Sequence, residues 1–119
     1  MSVEEAVAAS FQGEQDGAYV YRLGADFPAF NGHFPGQPIL PAVCQISLSV
    51  DALSRRLGCP VDVQKIVRAK FVKPILPGTC VHVRLTEQGA GRFSAELVSA
   101  ADGGKCSQIS FFVTFKETL

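Results

Sequence analysis

The stretch from Ala42 to Leu57 constrains the fold of this chain most, because it contains neither glycine nor proline. Pro41 precedes it and suits the first position of a helix, where a missing N–H leaves no hydrogen bond unmade. Gly58 suits the left-handed residue that ends a helix, and Pro60 prevents the helix from continuing. The sequence therefore predicts one long helix between Pro41 and Gly58.

Apolar side chains cover most of this predicted helix. Five recur at spacings of three and four residues and share one face: Val43, Ile46, Val50, Leu53 and Leu57. Four more widen the apolar surface: Ala42, Cys44, Leu48 and Ala52. Only Arg55 and Arg56 require water, and near the C-terminal end they also suit the helix dipole. A helix this apolar is normally surrounded by other structure, so we expect it at the centre of the fold.

Beyond Gly58 the apolar period changes to two, which is typical of strands. In the first run, five residues are predicted to face the core: Val61, Val63, Val67, Ala69 and Phe71. Three further runs, near residues 80–85, 92–97 and 109–115, are separated by turns rich in glycine or proline. A strand at 18–23 precedes the helix. We predict an α+β fold in which a meander of four strands after the helix packs its apolar face on that helix.

The chain as a whole, 1–119, has the length of a single domain. Residues 1–16 are weakly patterned and fit a short helix, an early strand or a loosely ordered end. Eleven basic and eleven acidic residues cancel, so charge gives no case for nucleic acid or an anionic membrane. The start lacks the pattern of a signal peptide, and no apolar run is long enough for a membrane span.

The four cysteines, Cys44, Cys59, Cys80 and Cys106, have neither metal-binding nor redox spacing. We expect reduced thiols in a cytoplasmic protein. Cys44 follows His33 closely enough to allow a nucleophile pair, but a small buried filler is the commoner role.

The segment Asn31–Pro41 leads into the helix and holds three prolines and two glycines. These residues fix an irregular backbone, because proline locks φ and glycine admits conformations closed to other residues. His33 lies inside this rigid segment. On spacing alone, His33 is either a loop histidine bonded to a local carbonyl or a group that transfers protons.

Two motifs resemble one protein family. The first is His33-Phe34-Pro35-Gly36-x-Pro38-x-x-Pro41, and the second runs from Lys70 through Pro74-x-x-Pro77-Gly78. Both resemble the 3-hydroxyacyl-acyl carrier protein dehydratases of fatty acid synthesis, hotdog-fold proteins of the FabA/FabZ type. The segment around Val43 and Gln45 is more similar to the aryl-polyene and polyketide-type branch. The resemblance implies an antiparallel sheet wrapped around one central helix.

The resemblance also implies an activity, the dehydration of (3R)-hydroxyacyl thioesters to trans-2-enoyl thioesters without metal or cofactor. His33 would remove the C2 proton, which suits a group that titrates near neutral pH. Phe34, Gly36, Ala42 and Val43 would bind substrate, with backbone N–H groups near Ala42 meeting the thioester carbonyl.

One position departs from the family. Its acid, Glu or Asp, comes fourteen residues after the histidine, where this chain has Ser47. Ser47 is either a holder of the departing hydroxyl or a helix hydroxyl bonded to its own backbone. Asp51, about 6 Å further along the axis, is either an acid acting through water or a carboxylate at the surface or a dimer interface.

Three functions follow from these residues: the dehydratase, a weak or inactive subunit that binds acyl chains or carrier protein, and a thioesterase in which Asp51 activates water. The implied partner is an acyl carrier protein with a phosphopantetheine-linked acyl chain. Six basic residues either dock it or are scattered surface charge: Arg55, Arg56, Lys65, Arg68, Lys70 and Lys73. We expect a homodimer or an assembly of dimers, with a heterodimer as the alternative.

Overall fold

The computed structural model describes residues 2–30 and 38–116. The elements in chain order are α1 (Val3–Ala9), β1 (Phe11–Gln15), β2 (Ala18–Leu23), a short 3-10 helix (Pro28–Phe30), α2 (Ala42–Leu57), β3 (Val61–Phe71), β4 (Thr79–Gly89), β5 (Arg92–Ser99) and β6 (Lys105–Phe115). The described part of residues 1–16 thus contains a helix and a strand, two of the three alternatives that the sequence left open. A capping box between Ser2 and Glu5 defines the start of α1.

Helix α2 ends where the sequence predicts, at Leu57. Gly58 ends it with φ 74°, and its N–H bonds to the carbonyl of Ser54. The prediction that Pro41 is the first helical residue is wrong by one position. Pro41 is extended (φ −62°, ψ 153°), and its carbonyl accepts hydrogen bonds from Cys44 and Gln45, so it precedes the helix as the N-cap.

The buried face of α2 is not the predicted one. The residues that it buries are Cys44, Gln45, Leu48, Ser49, Ala52 and Leu53. Val43 is 64% exposed and Leu57 is 36% exposed, whereas Ile46 and Val50 pack partly against the core. The periodicity marked both stripes as apolar, and only the sheet's position decides which of them it covers. One apolar side of the central helix is left open in a single chain.

The sheet has six antiparallel strands in the order β1-β2-β4-β5-β6-β3. The predicted four-strand meander is therefore wrong in one respect, because β3 pairs with β6 and not with β4. The segment between β3 and β4 contains Pro74 and Pro77 and makes no tight hairpin. Its ends are anchored elsewhere: Val72 N–H bonds to Cys106, and Gly78 N–H bonds to Leu23. Strand β2 takes the place beside β4.

Two irregularities in β3 change which of its side chains face the core. The pairing with β6 shifts between Val63 and Lys65 and again between Ile66 and Arg68. Ile66 consequently stands opposite the buried Phe111, a place that an unshifted register would give to Lys65. Most of β3 is exposed, since it is an edge strand that runs past the cover of α2.

Strands β4, β5 and β6 follow the predicted alternation. Their inward residues are almost fully buried: Val81, Val83, Phe93, Ala95, Leu97, Ile109, Phe111 and Val113. Phe115, predicted to join them, is 65% exposed because it lies at the end of the last strand beside the edge. The core thus lies between α2 and the middle of the sheet.

Candidate functional site

Three of the predicted site residues, His33, Phe34 and Gly36, lie outside the described residues. The chain that follows them is held in place. Leu40 N–H bonds to the carbonyl of Ile75 at 2.8 Å, and the Gln45 side-chain amide bonds to the carbonyl of Leu40 at 3.3 Å. Two hydrogen bonds thereby fix the exit of the histidine segment against the β3–β4 connection and against α2.

The start of α2 opens onto a slot of about 510 Å³. Its walls are mainly apolar and come from the chain before α2 and from the end of β3, with Ile39, Pro41, Phe71 and Val72 among them. No side chain caps the helix in the described part of the chain. The first N–H groups of α2, at Ala42 and Val43, lie at the positive end of the helix dipole, which favours a carbonyl oxygen as their acceptor.

A second cavity, of about 310 Å³, brings Ser47 and Asp51 together. We call it the Ser47 groove. Successive turns of α2 form one wall, the start of β3 forms another, and α1 contributes Glu4 and Val7. Ser47 and Asp51 lie one turn apart on the same helix face, which is why both reach this groove.

Ser47 keeps its hydroxyl free of the helix backbone. The side chain that bonds back to a carbonyl is Ser49, at 3.0 Å from Gln45, and no described residue forms a hydrogen bond with the Ser47 hydroxyl. The sequence left two roles open for Ser47. One of them, a hydroxyl bonded to a helix carbonyl, is filled by Ser49 in this turn of α2. Ser47 lines the groove.

Asp51 is held by two donors on one oxygen. The hydroxyl of Tyr21 donates to Oδ2 at 2.5 Å, and Nε of Arg55 donates to the same atom at 2.8 Å. Arg55 is itself fixed, with its guanidinium 3.9 Å from the ring centre of Phe11. Bonds of this kind are strongest when the carboxyl group is ionised. The side chain of Asp51 is 21% exposed, so it is partly withdrawn from solvent.

The hydroxyl of Tyr21, which donates to Asp51, has a raised pKa. Tyr21 is fully buried, and burial raises the pKa of its hydroxyl well above the usual range, with the hydrogen bond to Asp51 adding to the shift. The phenol therefore stays protonated and donates the bond at all ordinary pH values. Sequence reasoning missed Tyr21, although a tyrosine on the inward face of a strand needs a partner for its hydroxyl.

Cys44 is a buried filler and not an activated nucleophile. It is 1% exposed. Burial, and secondarily the negative charge of Glu4, raises the pKa of its thiol. All four cysteines are free thiols. The described ranges contain no cluster of three metal-binding side chains, and none of their helices is long and apolar enough to cross a bilayer.

Half of the basic residues considered for docking are already engaged. Arg55 binds Asp51, Arg56 donates to the carbonyl of Leu85 at 3.0 Å, and Lys73 pairs with Asp102. Lys65, Arg68 and Lys70 lie exposed along the edge strand β3. Among the six residues considered, the three on β3 form no ion pair with another described residue.

Comparison with known proteins places this fold and these motifs in context. Residues 10–109 match the family model described as ApeI-like, ApeI dehydratase. The 3-hydroxyacyl-[acyl-carrier-protein] dehydratase FabZ of Brucella ovis is 35% identical over 91 residues, which cover 68% of this chain and 58% of that protein. This chain therefore spans less than two thirds of the length of that relative.

Solved structures share the architecture at lower identity. A chain of the dehydratase heterocomplex ApeI:P from Xenorhabdus doucetiae superposes with a TM-score of 0.70 at 21% identity, covering 87% of this chain and 92% of that one. An uncharacterized protein from Erwinia carotovora subsp. atroseptica gives 0.70 at 24% identity, with 89% and 90% covered. These likenesses confirm the predicted α+β hotdog fold. With a family match over most of its length, the chain belongs to the ApeI-like dehydratases.

Proposed function

We propose that this protein dehydrates (3R)-hydroxyacyl thioesters, carried on acyl carrier protein, to trans-2-enoyl thioesters. The observation that carries the proposal is the order of parts: the His33 motif leads directly into the uncapped start of α2, beside an apolar slot. Backbone donors and room for an acyl chain lie side by side there, and His33 precedes Ala42 by nine positions in the sequence. Family membership supports the same reaction type.

Each part has a chemical task. His33 removes the C2 proton, and Phe34 and Gly36 shape the approach to it. The N–H groups of Ala42 and Val43 hydrogen-bond the thioester oxygen as enolate charge develops there. Ser47, with its free hydroxyl, holds the departing hydroxyl group in the groove.

A second copy of the chain completes the assembly. The uncovered side of α2, the edge strand β3 and the residue after it expose large apolar side chains: Val43, Ile66, Val67, Phe71 and Val72. An edge strand also presents unpaired backbone N–H and C=O groups. Pairing it with another strand satisfies these groups and buries the apolar side chains. The proposed homodimer joins two β3 strands and covers the Ser47 groove.

The activity test uses purified protein with a 3-hydroxyacyl carrier protein, followed by mass spectrometry for the loss of water. We expect conversion by the wild type and its loss in His33→Ala. If the wild type leaves the substrate unchanged while a FabZ enzyme converts it in parallel, the proposed reaction is wrong.

A subunit that binds but does not turn over its ligand is the second candidate, because Ser47 replaces the family's acid. That candidate predicts binding of acyl carrier protein without conversion. Ser47→Glu then creates activity if position 47 faces the reacting centre.

The thioesterase is less well supported. Its proposed base, Asp51, already has Oδ2 bonded to both Tyr21 and Arg55. Release of free thiol from an acyl-CoA, abolished in Asp51→Asn, is the result that would favour it.

A further inference from the structure

We infer that the outer face of the sheet, opposite α2, binds a phosphate group in a cavity of about 440 Å³. We call this cavity the outer cavity. It shares no lining residue with the apolar slot or with the Ser47 groove, so it is a site separate from the proposed active site. Its volume lies within the range of small-ligand pockets, about 300–1,000 Å³. Eight residues line it: Val67, Arg68, Lys70, Gln88, Arg92, Lys105, Gln108 and Ser110.

The alternation of β6 puts the outer cavity on the face of the sheet that points away from α2. Phe111 is fully buried in the core, so its neighbour Ser110 points to the other face. Arg68 of β3 stands opposite Ser110, and Lys70 stands opposite Gln108. Residues directly opposite one another project from the same face of a sheet. The outer cavity therefore lies over the junction of β6 with the edge strand β3.

The floor of the outer cavity is withdrawn from solvent. Ser94 and Ser110 stand opposite each other on β5 and β6, and they are 5% and 8% exposed although they face away from the core. The side-chain amide of Gln108 donates to the Ser94 hydroxyl at 3.3 Å. No described residue forms a hydrogen bond with the hydroxyl of Ser110, which lines the cavity. The outer cavity is thus a formed recess, and Ser110 offers a donor within it.

The lining of the outer cavity is positively charged. Lys105 is partly neutralised, because its ammonium group lies 3.6 Å from the Glu96 carboxylate and 2.6 Å from Oε1 of Gln108. Arg68, Lys70 and Arg92 form no ion pair with another described residue. The charges of the whole chain cancel, so this excess is local. Cations held together repel one another, and an anion placed between them relieves that repulsion.

Arg92 supplies a donor that the protein itself does not use. Its Nε atom is buried and has no hydrogen-bond partner among the described residues. The guanidinium lies 5.8 Å from the ring centre of Phe112, the residue opposite it on β6, and this contact holds it over the sheet. A buried N–H group without an acceptor is unfavourable. In the inferred complex, the guanidinium turns this N–H group towards a ligand oxygen in the cavity that Arg92 lines.

A phosphate group fits these donors better than a carboxylate or an apolar ligand does. Phosphate carries up to two negative charges near neutral pH, whereas a carboxylate carries one. A guanidinium meets two phosphate oxygens at once, and a lysine adds a point charge. Val67 is the single apolar residue among the eight that line the outer cavity, so an apolar ligand finds little to contact. A bound phosphate bridges Arg68 and Lys70 of β3 to Arg92 of β5.

The test titrates the protein with inorganic phosphate in a calorimeter, at an ionic strength held constant with sodium chloride. We expect one phosphate per chain and a higher thermal midpoint, because a ligand of the folded state stabilises that state. Arg92→Gln and Lys70→Gln should each weaken binding by about tenfold or more, since each removes a charged donor. Arg84→Gln removes the same charge from an exposed position of β4 outside the cavity and should bind phosphate like the wild type.

A second titration, with a nucleoside 5′-monophosphate, identifies the source of the phosphate group. Tighter binding than that of inorganic phosphate assigns the site to an organic phosphate monoester, and equal or weaker binding assigns it to free phosphate. A wild type that binds no phosphate beyond the chloride control overturns the inference. An equal loss of affinity in Arg84→Gln also overturns it, because the effect is then one of overall charge.

Lys70→Gln keeps the inference testable if Arg92→Gln does not fold. Lys70 is exposed on the edge strand, so its substitution should leave the fold intact. Wild-type phosphate affinity in Lys70→Gln overturns the inference.

Discussion

The hydroxyl of Tyr21 lies 2.5 Å from Oδ2 of Asp51, a residue thirty positions away in the chain. This bond joins the inward face of β2 to the side of α2 that lines the Ser47 groove. Arg55 reaches the same oxygen and also contacts α1 through Ala8. One carboxylate thus ties together a strand and two helices around the candidate site.

Removing the Tyr21 hydroxyl should destabilise the protein by about 1–3 kcal/mol. Tyr21→Phe deletes the donor and leaves a partly buried charged acceptor with one bond fewer. The free energy of unfolding in urea measures the loss. In a double-mutant cycle with Asp51→Asn, the two substitutions should be non-additive. If the two changes in the free energy of unfolding simply add, the bond between Tyr21 and Asp51 does not stabilise the protein.

The raised pKa of Tyr21 also predicts how stability depends on pH. An unfolded tyrosine loses its proton near pH 10, whereas folded Tyr21 keeps it to a higher pH. The contribution of Tyr21 to the free energy of unfolding is therefore fully present below about pH 10. It declines above that pH, by about 1.4 kcal/mol per pH unit. Unfolding of the wild type and of Tyr21→Phe should be compared between about pH 9 and pH 11. Parallel curves for the two proteins would show that Tyr21 has no such shift.

Substitution of Gly58 should lower the stability of the protein because of the backbone conformation alone. Its φ of 74° lies in the left-handed region, and a Cβ there would meet no atom within 4 Å. We expect Gly58→Ala to lower the stability by about 1–2 kcal/mol, the strain of an L-residue in that region. Gly58→Asn should cost less, since asparagine visits this region more readily. Equal thermal midpoints for the wild type and both variants would rule out the strain.

A charge on the exposed edge should break the proposed dimer. Phe71 is 45% exposed in the single chain, so Phe71→Glu should leave the monomer folded while weakening association. Thr86→Glu adds the same charge to an exposed position of β4 and serves as the control. Sedimentation velocity compares the two with the wild type. A wild type that sediments as a monomer would make the dimer proposal wrong.

Much of the local structure follows from short-range chemistry. Strand β2 has the predicted bounds, and α2 ends at Gly58 as expected, because these limits depend on turn residues and periodicity within a few positions. The inward faces of β4, β5 and β6 follow for the same reason. The two motifs also identify the family, since their residues are adjacent in the sequence.

The sequence by itself determined the central helix, the period of the strands and the His33 and Pro74–Gly78 motifs. Only the tertiary structure decided which stripe of α2 is buried, that β3 pairs with β6, and that Tyr21, Arg55 and Glu4 gather around Ser47 and Asp51. The physical reason is distance along the chain. Periodicity reports which side chains avoid water, but contacts between remote segments depend on packing that no local pattern specifies.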